Sequence, residues 1–102
     1  MDSTLTIHEK RTGIVAAIRG RFDYHLYSDF RTLCDRVSAH QPVSIDLENT
    51  TNLDSSALEM LLQLRERVTT RIVLKHPSPD IARILNVANF DKLFKIIMPT
   101  PA

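Results

Sequence analysis

Apolar and polar residues alternate through Thr4-Leu5-Thr6-Ile7-His8, a period of two that predicts a half-buried strand. Lys10-Arg11-Thr12-Gly13 reads as a turn, and Ile14-Val15-Ala16-Ala17-Ile18 as the returning strand of a hairpin that Gly20 closes before a loop. The period then changes. Leu26, Phe30, Leu33, Cys34 and Val37 fall on one stripe of a first helix. Pro42 to Leu47 returns to period two, with Val43, Ile45 and Leu47 sharing a face, and the polar residues from Glu48 to Asn52 form a loop. Leu58, Leu61, Leu62 and Val68 mark a second helix, and Arg71-Ile72-Val73-Leu74 a short buried strand. Ser78-Pro79-Asp80 opens a third helix with a capping serine, a proline at the first helical position and an acid in the first turn. Ile81, Ile84, Leu85 and Val87 are expected on its inward face. Asn89-Phe90-Asp91 breaks it, Asp91-Lys92-Leu93 adds a further helical turn, and Phe94 to Met98 reads as a last strand.

Strands alternating with helices predict an α/β domain with parallel pairs, opened by an antiparallel hairpin. At 102 residues the chain suits one core, and no repeat, linker or low-complexity tract divides it. Thirteen Lys+Arg stand against twelve Asp+Glu, a net charge of +1 that makes no electrostatic case for nucleic acid or an anionic membrane. No apolar run approaches the ~20 residues that span a bilayer. The polar start Met1-Asp2-Ser3-Thr4 is unlike a signal peptide, and Met98 to Ala102 is expected to end the fold as an extended strip. The lone cysteine, Cys34, excludes an intrachain disulfide and fits a cytoplasmic setting.

The chain offers little for catalysis. His8, His25, His40 and His76 stand far apart in sequence and none adjoins Cys34, so no local metal-ligand pair exists and neither a metal nor a cofactor is expected. Gly13 and Gly20 are the only glycines, which rules out Gly-x-Ser-x-Gly, Gly-x-Gly-x-x-Gly and Walker loops. Cys34 lies on an apolar stripe, where a free thiol behaves as a small hydrophobe. His8, His40 and His76 fall near element ends, and Phe22, Phe30, Phe90 and Phe94 belong to the core, since no basic stripe interleaves them. A small α/β hydrolase would need a histidine beside its nucleophile, and nothing in the sequence brings His25 or His76 to Ser55.

One segment carries more polar chemistry than its local structure requires. Asp54, Ser55 and Ser56 are three capping residues before Ala57-Leu58, where a single N-cap, Asp54 or Ser55, would start the helix, with Glu59 close enough to support its first turn. A hydroxyl on such a strand-to-helix turn also suits a phospho-acceptor: a phosphate gains ~0.3–1 kcal/mol from the helix N-terminus and sets roughly −1.5 to −2 charges beside Asp54.

Leu53-Asp54-Ser55-Ser56-Ala57-Leu58 resembles the Asp-Ser-Ser/Ala-Gly-Leu signature of the STAS-domain family. Gly20-Arg21-Phe22-Asp23 is similar to its Gly-x-Leu-Asp, and Ser78-Pro79 through Leu85 with Phe90-Asp91-Lys92-Leu93-Phe94 to its C-terminal helix and closing strand. In this order the matches span nearly the whole chain, and within the family they resemble the stand-alone bacterial anti-sigma factor antagonists. The resemblance implies one STAS domain over residues 1–102, a mixed β-sheet packed against three to four helices. It implies a non-enzymatic module that binds an anti-sigma factor, itself a serine-protein kinase, and is released when Ser55 is phosphorylated; one core accounts for most of the apolar residues, as expected of a monomer, and the oligomeric state stays open. A PP2C-like phosphatase would restore binding. Asp23, Asp54, Ser56 and Ala57 would lie at the partner surface. Ala57 stands where the family usually has glycine, and Asn52 where an apolar or aromatic residue is common. A second reading within the family is a constitutive STAS subunit of a lipid-transport ABC complex, a role whose members tend to lack the intact acceptor signature.

Overall fold

In the computed structural model, which describes residues 3–100, β1 (Thr4–Lys10) and β2 (Gly13–Phe22) form the expected antiparallel hairpin. Gly13 makes its turn possible. Its φ is +142°, and a Cβ there would collide with the Pro42 carbonyl oxygen, which accepts the Ile14 N–H at 2.9 Å. β2 does not stop at Gly20. It runs on to Phe22 through an irregularity between Gly20 and Arg21, where the glycine adopts a φ of +86°.

The extension has a partner that the polarity of residues 48–52 conceals. Thr50–Leu53 is a strand, β4, parallel to the end of β2, where a loop was expected. Thr50 is buried despite its hydroxyl because Oγ1 donates to the Ile18 carbonyl at 2.8 Å. β3 (Val43–Asp46), β5 (Val73–Lys75) and β6 (Lys95–Ile97) complete a six-stranded mixed sheet ordered β1-β2-β3-β5-β6, with β4 joined to β2 beyond β3.

Ile14, Ala16, Ile18, Val43, Ile45 and Leu74 occupy one face of the sheet and are buried, whereas the intervening Val15, Ala17, Ser44 and Val73 are half-buried. The core lies between that apolar face and α1 (Tyr27–Arg36), α2 (Ser55–Arg65) and α3 (Pro79–Val87). Phe22 stacks on Phe30 of α1 with centroids 5.6 Å apart, and Phe90 on Phe94 at 5.2 Å, so all four phenylalanines are core residues. Two helices are rotated from the expected stripes. α2 buries Ala57, Met60, Leu61 and Leu64 and leaves Leu62 exposed, while Val68 lies beyond its end. α3 buries Ile81, Ala82 and Leu85, whereas Ile84 faces outward and Val87 is 79% exposed. Met1, Asp2, Pro101 and Ala102 lie outside the described residues, so the expected extended strip is traced only to Thr100. No described helix is long and apolar enough to cross a membrane.

Candidate functional site

The parallel register pairs Phe22 with Leu53, so the chain leaves adjacent strands at Asp23 and Asp54. Both aspartates are extended, and each caps the helical segment after it. Asp54 accepts the Ala57 N–H at 3.1 Å and starts α2; Asp23 accepts the His25 N–H at 3.0 Å and starts a short 3₁₀ turn, Tyr24–Leu26, before α1. A bond to a charged acceptor satisfies N–H groups that have no partner within the helix. Two helix-start corners therefore stand side by side at one end of the sheet.

The three polar residues of the second corner have different parts. Asp54 is the cap, and its Oδ1 also accepts the Ser56 hydroxyl at 2.6 Å. Ser55 is exposed at the first position of α2, and no hydrogen bond among the described residues engages its hydroxyl. Ala57 is fully buried, so its methyl presents no surface to a partner, contrary to the expectation from the resemblance; its N–H serves the cap instead. Alanine costs about 1 kcal/mol less than glycine inside a helix.

The Asp23 carboxylate is also less available than expected, with its side chain only 7% exposed. Burial pushes its carboxyl up. The His25 backbone N–H, the His25 ring at 3.0 Å and the Arg21 guanidinium at 3.4 Å outweigh burial and hold it below the usual carboxylate range. What this corner shows to solvent is the shell over Asp23. Arg21 and Tyr24 are exposed, and Tyr24 stacks on the exposed His25 with centroids 4.1 Å apart. The sequence offered a signal for that shell, basic and aromatic residues flanking Asp23, but the pairing became visible only with the 3₁₀ turn.

The remaining cysteine and histidines lie away from both corners. Cys34 is buried on α1, and desolvation pushes its thiol up, away from the reactive thiolate. The His40 ring bonds the Thr69 hydroxyl at 3.0 Å, and His8 is exposed on β1. β3–β5 pairing brings Asp46, Glu48 and His76 together, with donor atoms within 4.8 Å of one another, a set that spacing along the chain does not reveal. It is open to solvent at Glu48.

Comparison with known proteins gives these corners a context. A family model, the STAS domain, matches residues 5–100. A STAS-domain containing protein of Pseudomonas aeruginosa (strain UCBPP-PA14) is 45% identical over 83 residues, 78% of this chain and 82% of that protein. The crystal structure of an anti-sigma factor antagonist from Mycobacterium paratuberculosis superposes with a TM-score of 0.81 at 22% identity, over 97% of this chain and 87% of that one. The anti-sigma factor antagonist SpoIIAA in its unphosphorylated form gives 0.64 at 18% identity, over 97% and 90%. At such identities the likeness shows a shared fold.

Proposed function

The chain belongs to the STAS-domain family, and from that premise we propose that it is an anti-sigma factor antagonist: a cytoplasmic binding module rather than an enzyme. Two structural neighbours bear that description, which supports the general kind. In this reading the partner is an anti-sigma factor that is also a serine-protein kinase. It docks over the Asp54-Ser55-Ser56 turn and the adjoining Asp23 corner and phosphorylates Ser55. A PP2C-like phosphatase reverses the step.

The observation that carries the proposal is the division of labour at the turn. Asp54 and Ser56 are tied to each other and to the helix start, while Ser55 stands exposed on the first residue of α2 with no hydrogen bond to its hydroxyl among the described residues. A phosphate can be added there without removing the cap. The domain itself gains ~0.3–1 kcal/mol from the helix N-terminus. A partner sealed over the turn must desolvate roughly two new charges, and any carboxylate it holds at ~4 Å from the phosphate, at a near-surface dielectric, is repelled by about 4 kcal/mol per pair of unit charges before screening. A loss of ~3–4 kcal/mol lowers affinity by two to three orders of magnitude. Asp23 acts from beneath: its carboxylate fixes the 3₁₀ turn, and Arg21, Tyr24 and His25 make the contacts.

The test is intact-mass analysis of the protein from its native cells, with peptide mapping of residues 48–65. A single phosphate on Ser55, absent from Ser55→Ala and from cells lacking the kinase, is the expected result, with Ser55→Asp weakening partner capture. Phosphate on Ser56 with Ser55 unmodified refutes the acceptor assignment. A uniformly unmodified turn, with the pathway on and off, refutes the switch and leaves the constitutive ABC-complex subunit as the reading.

A further inference from the structure

At the other end of α2, Arg65, Val68, Thr69, Arg71 and the Lys92-Leu93 turn enclose an open cleft of about 370 Å³. That volume lies within the roughly 300–1,000 Å³ of small-molecule sites. Its lining is unusual for this protein. Three cations border it and no carboxylate does, whereas three other clefts each include an acid: Glu66, Asp46 or Asp29. Like most Lys and Arg among the described residues, these three cations are outside the salt bridges. Arg21, His25, Arg36 and Arg67 each have a carboxylate within 4 Å among the described residues; Arg65, Arg71 and Lys92 take no part in those pairs.

Both arginines are nonetheless held in place. Arg65 Nε donates to the Leu93 carbonyl at 3.3 Å, and one Arg71 terminal nitrogen donates to the Asp91 and Phe94 carbonyls, each at 3.2 Å. The same four-residue turn thus anchors the two guanidiniums and carries Lys92. A neutral carbonyl fixes a guanidinium without cancelling its charge, and each arginine keeps further N–H donors for a ligand. In a chain of net charge +1, these three cations are a local concentration, with Asp91 of the same turn and Glu66 the neighbouring acids in sequence.

We infer that this cleft binds a small polyanion of the phosphate class. The occupant bridges the guanidiniums and the Lys92 ammonium, with Val68 and Leu93 supplying an apolar wall. The cleft is separate from the Ser55 turn: ten residues of α2 at 1.5 Å per residue set the two about 15 Å apart. The inference therefore stands or falls independently of the phospho-switch.

Sodium pyrophosphate titrated into the full-length protein at constant ionic strength, monitored by amide ¹H–¹⁵N NMR, tests it. Saturable shifts are expected at Val68, Thr69, Thr70, Arg71, Lys92 and Leu93. Lys92→Gln, which breaks none of the contacts above, and Arg65→Gln should each weaken binding about fivefold. Arg83→Gln, an exposed arginine on α3, should leave it unchanged. Shifts that rise without saturating, that centre elsewhere, or that are the same in Lys92→Gln and wild type overturn the site.

Discussion

Replacing Asp54 separates two properties that the candidate site combines, an acceptor for the helix and a charge on the surface. Asp54→Ala leaves the Ala57 N–H, now bonded at 3.1 Å, without its acceptor at the start of α2. Ser56 loses its 2.6 Å bond as well, but it is only half-buried and can turn to water, so that loss adds little. Removing an N-cap costs about 1 kcal/mol, within a range of 0.5–2, and in a domain of this size that lowers Tm by about 4–8 °C. Asp54→Asn keeps an oxygen in the same place and gives up only the charge, whose interaction with the helix N-terminus is worth ~0.3–1 kcal/mol. Thermal melts by circular dichroism should rank wild type above Asp54→Asn and both above Asp54→Ala. If the partner docks over this turn as proposed, binding should rank differently: Asp54→Asn should lose affinity out of proportion to its stability. Equal destabilisation by the two substitutions would refute the capping argument, as would an Asp54→Ala melt within about 1 °C of wild type.

Three further outcomes test the frame that holds the site. Gly13→Ala should lower the urea midpoint sharply: its φ of +142° costs a side chain about 1–3 kcal/mol, and the new methyl would strike the carbonyl that accepts the Ile14 N–H. Because Asp23 is held below its ordinary pKa in the folded state, its ionisation stabilises the protein above the unfolded carboxylate value, near 3.9, and that contribution fades as pH falls through the lower folded value. Denaturant melts of wild type and Asp23→Asn should therefore differ at pH 7, with a gap that closes only as the pH falls below about 4 and through the lower folded value; a gap that does not shrink below about pH 4 would contradict the pairing with His25 and Arg21. On α3, Leu85→Ala should cost about 2–5 kcal/mol and Val87→Ser no more than about 0.5, since Leu85 is buried and Val87 is not. Chemical denaturation of the two variants checks the helix's rotation.

The class of fold was legible in the residues alone, because side-chain period is a local property of strands and helices. Alternation in residues 4–8 and 43–47, the Ser78-Pro79-Asp80 start and a helix start at Asp54 or Ser55 are all set within a few residues of chain, and the structure has each, with Asp54 as the cap. The motifs around Asp23 and Asp54 were legible for the same reason. Whatever depends on a distant partner was settled by tertiary structure instead. β4 exists because the end of β2 passes Gly20 and offers it a ladder, which overrides the polarity of Thr50-Thr51-Asn52. The outward turn of Ile84 and Val87, and the burial of Ala57 and Asp23, come from which side of each element the sheet occupies. The two aspartates, 31 residues apart, share one corner because Phe22 and Leu53 are neighbours in a parallel pair. Hydrogen-bond register between distant segments has no local signature, so the residues could name the candidate site while only the pairing of β2 with β4 could assemble it.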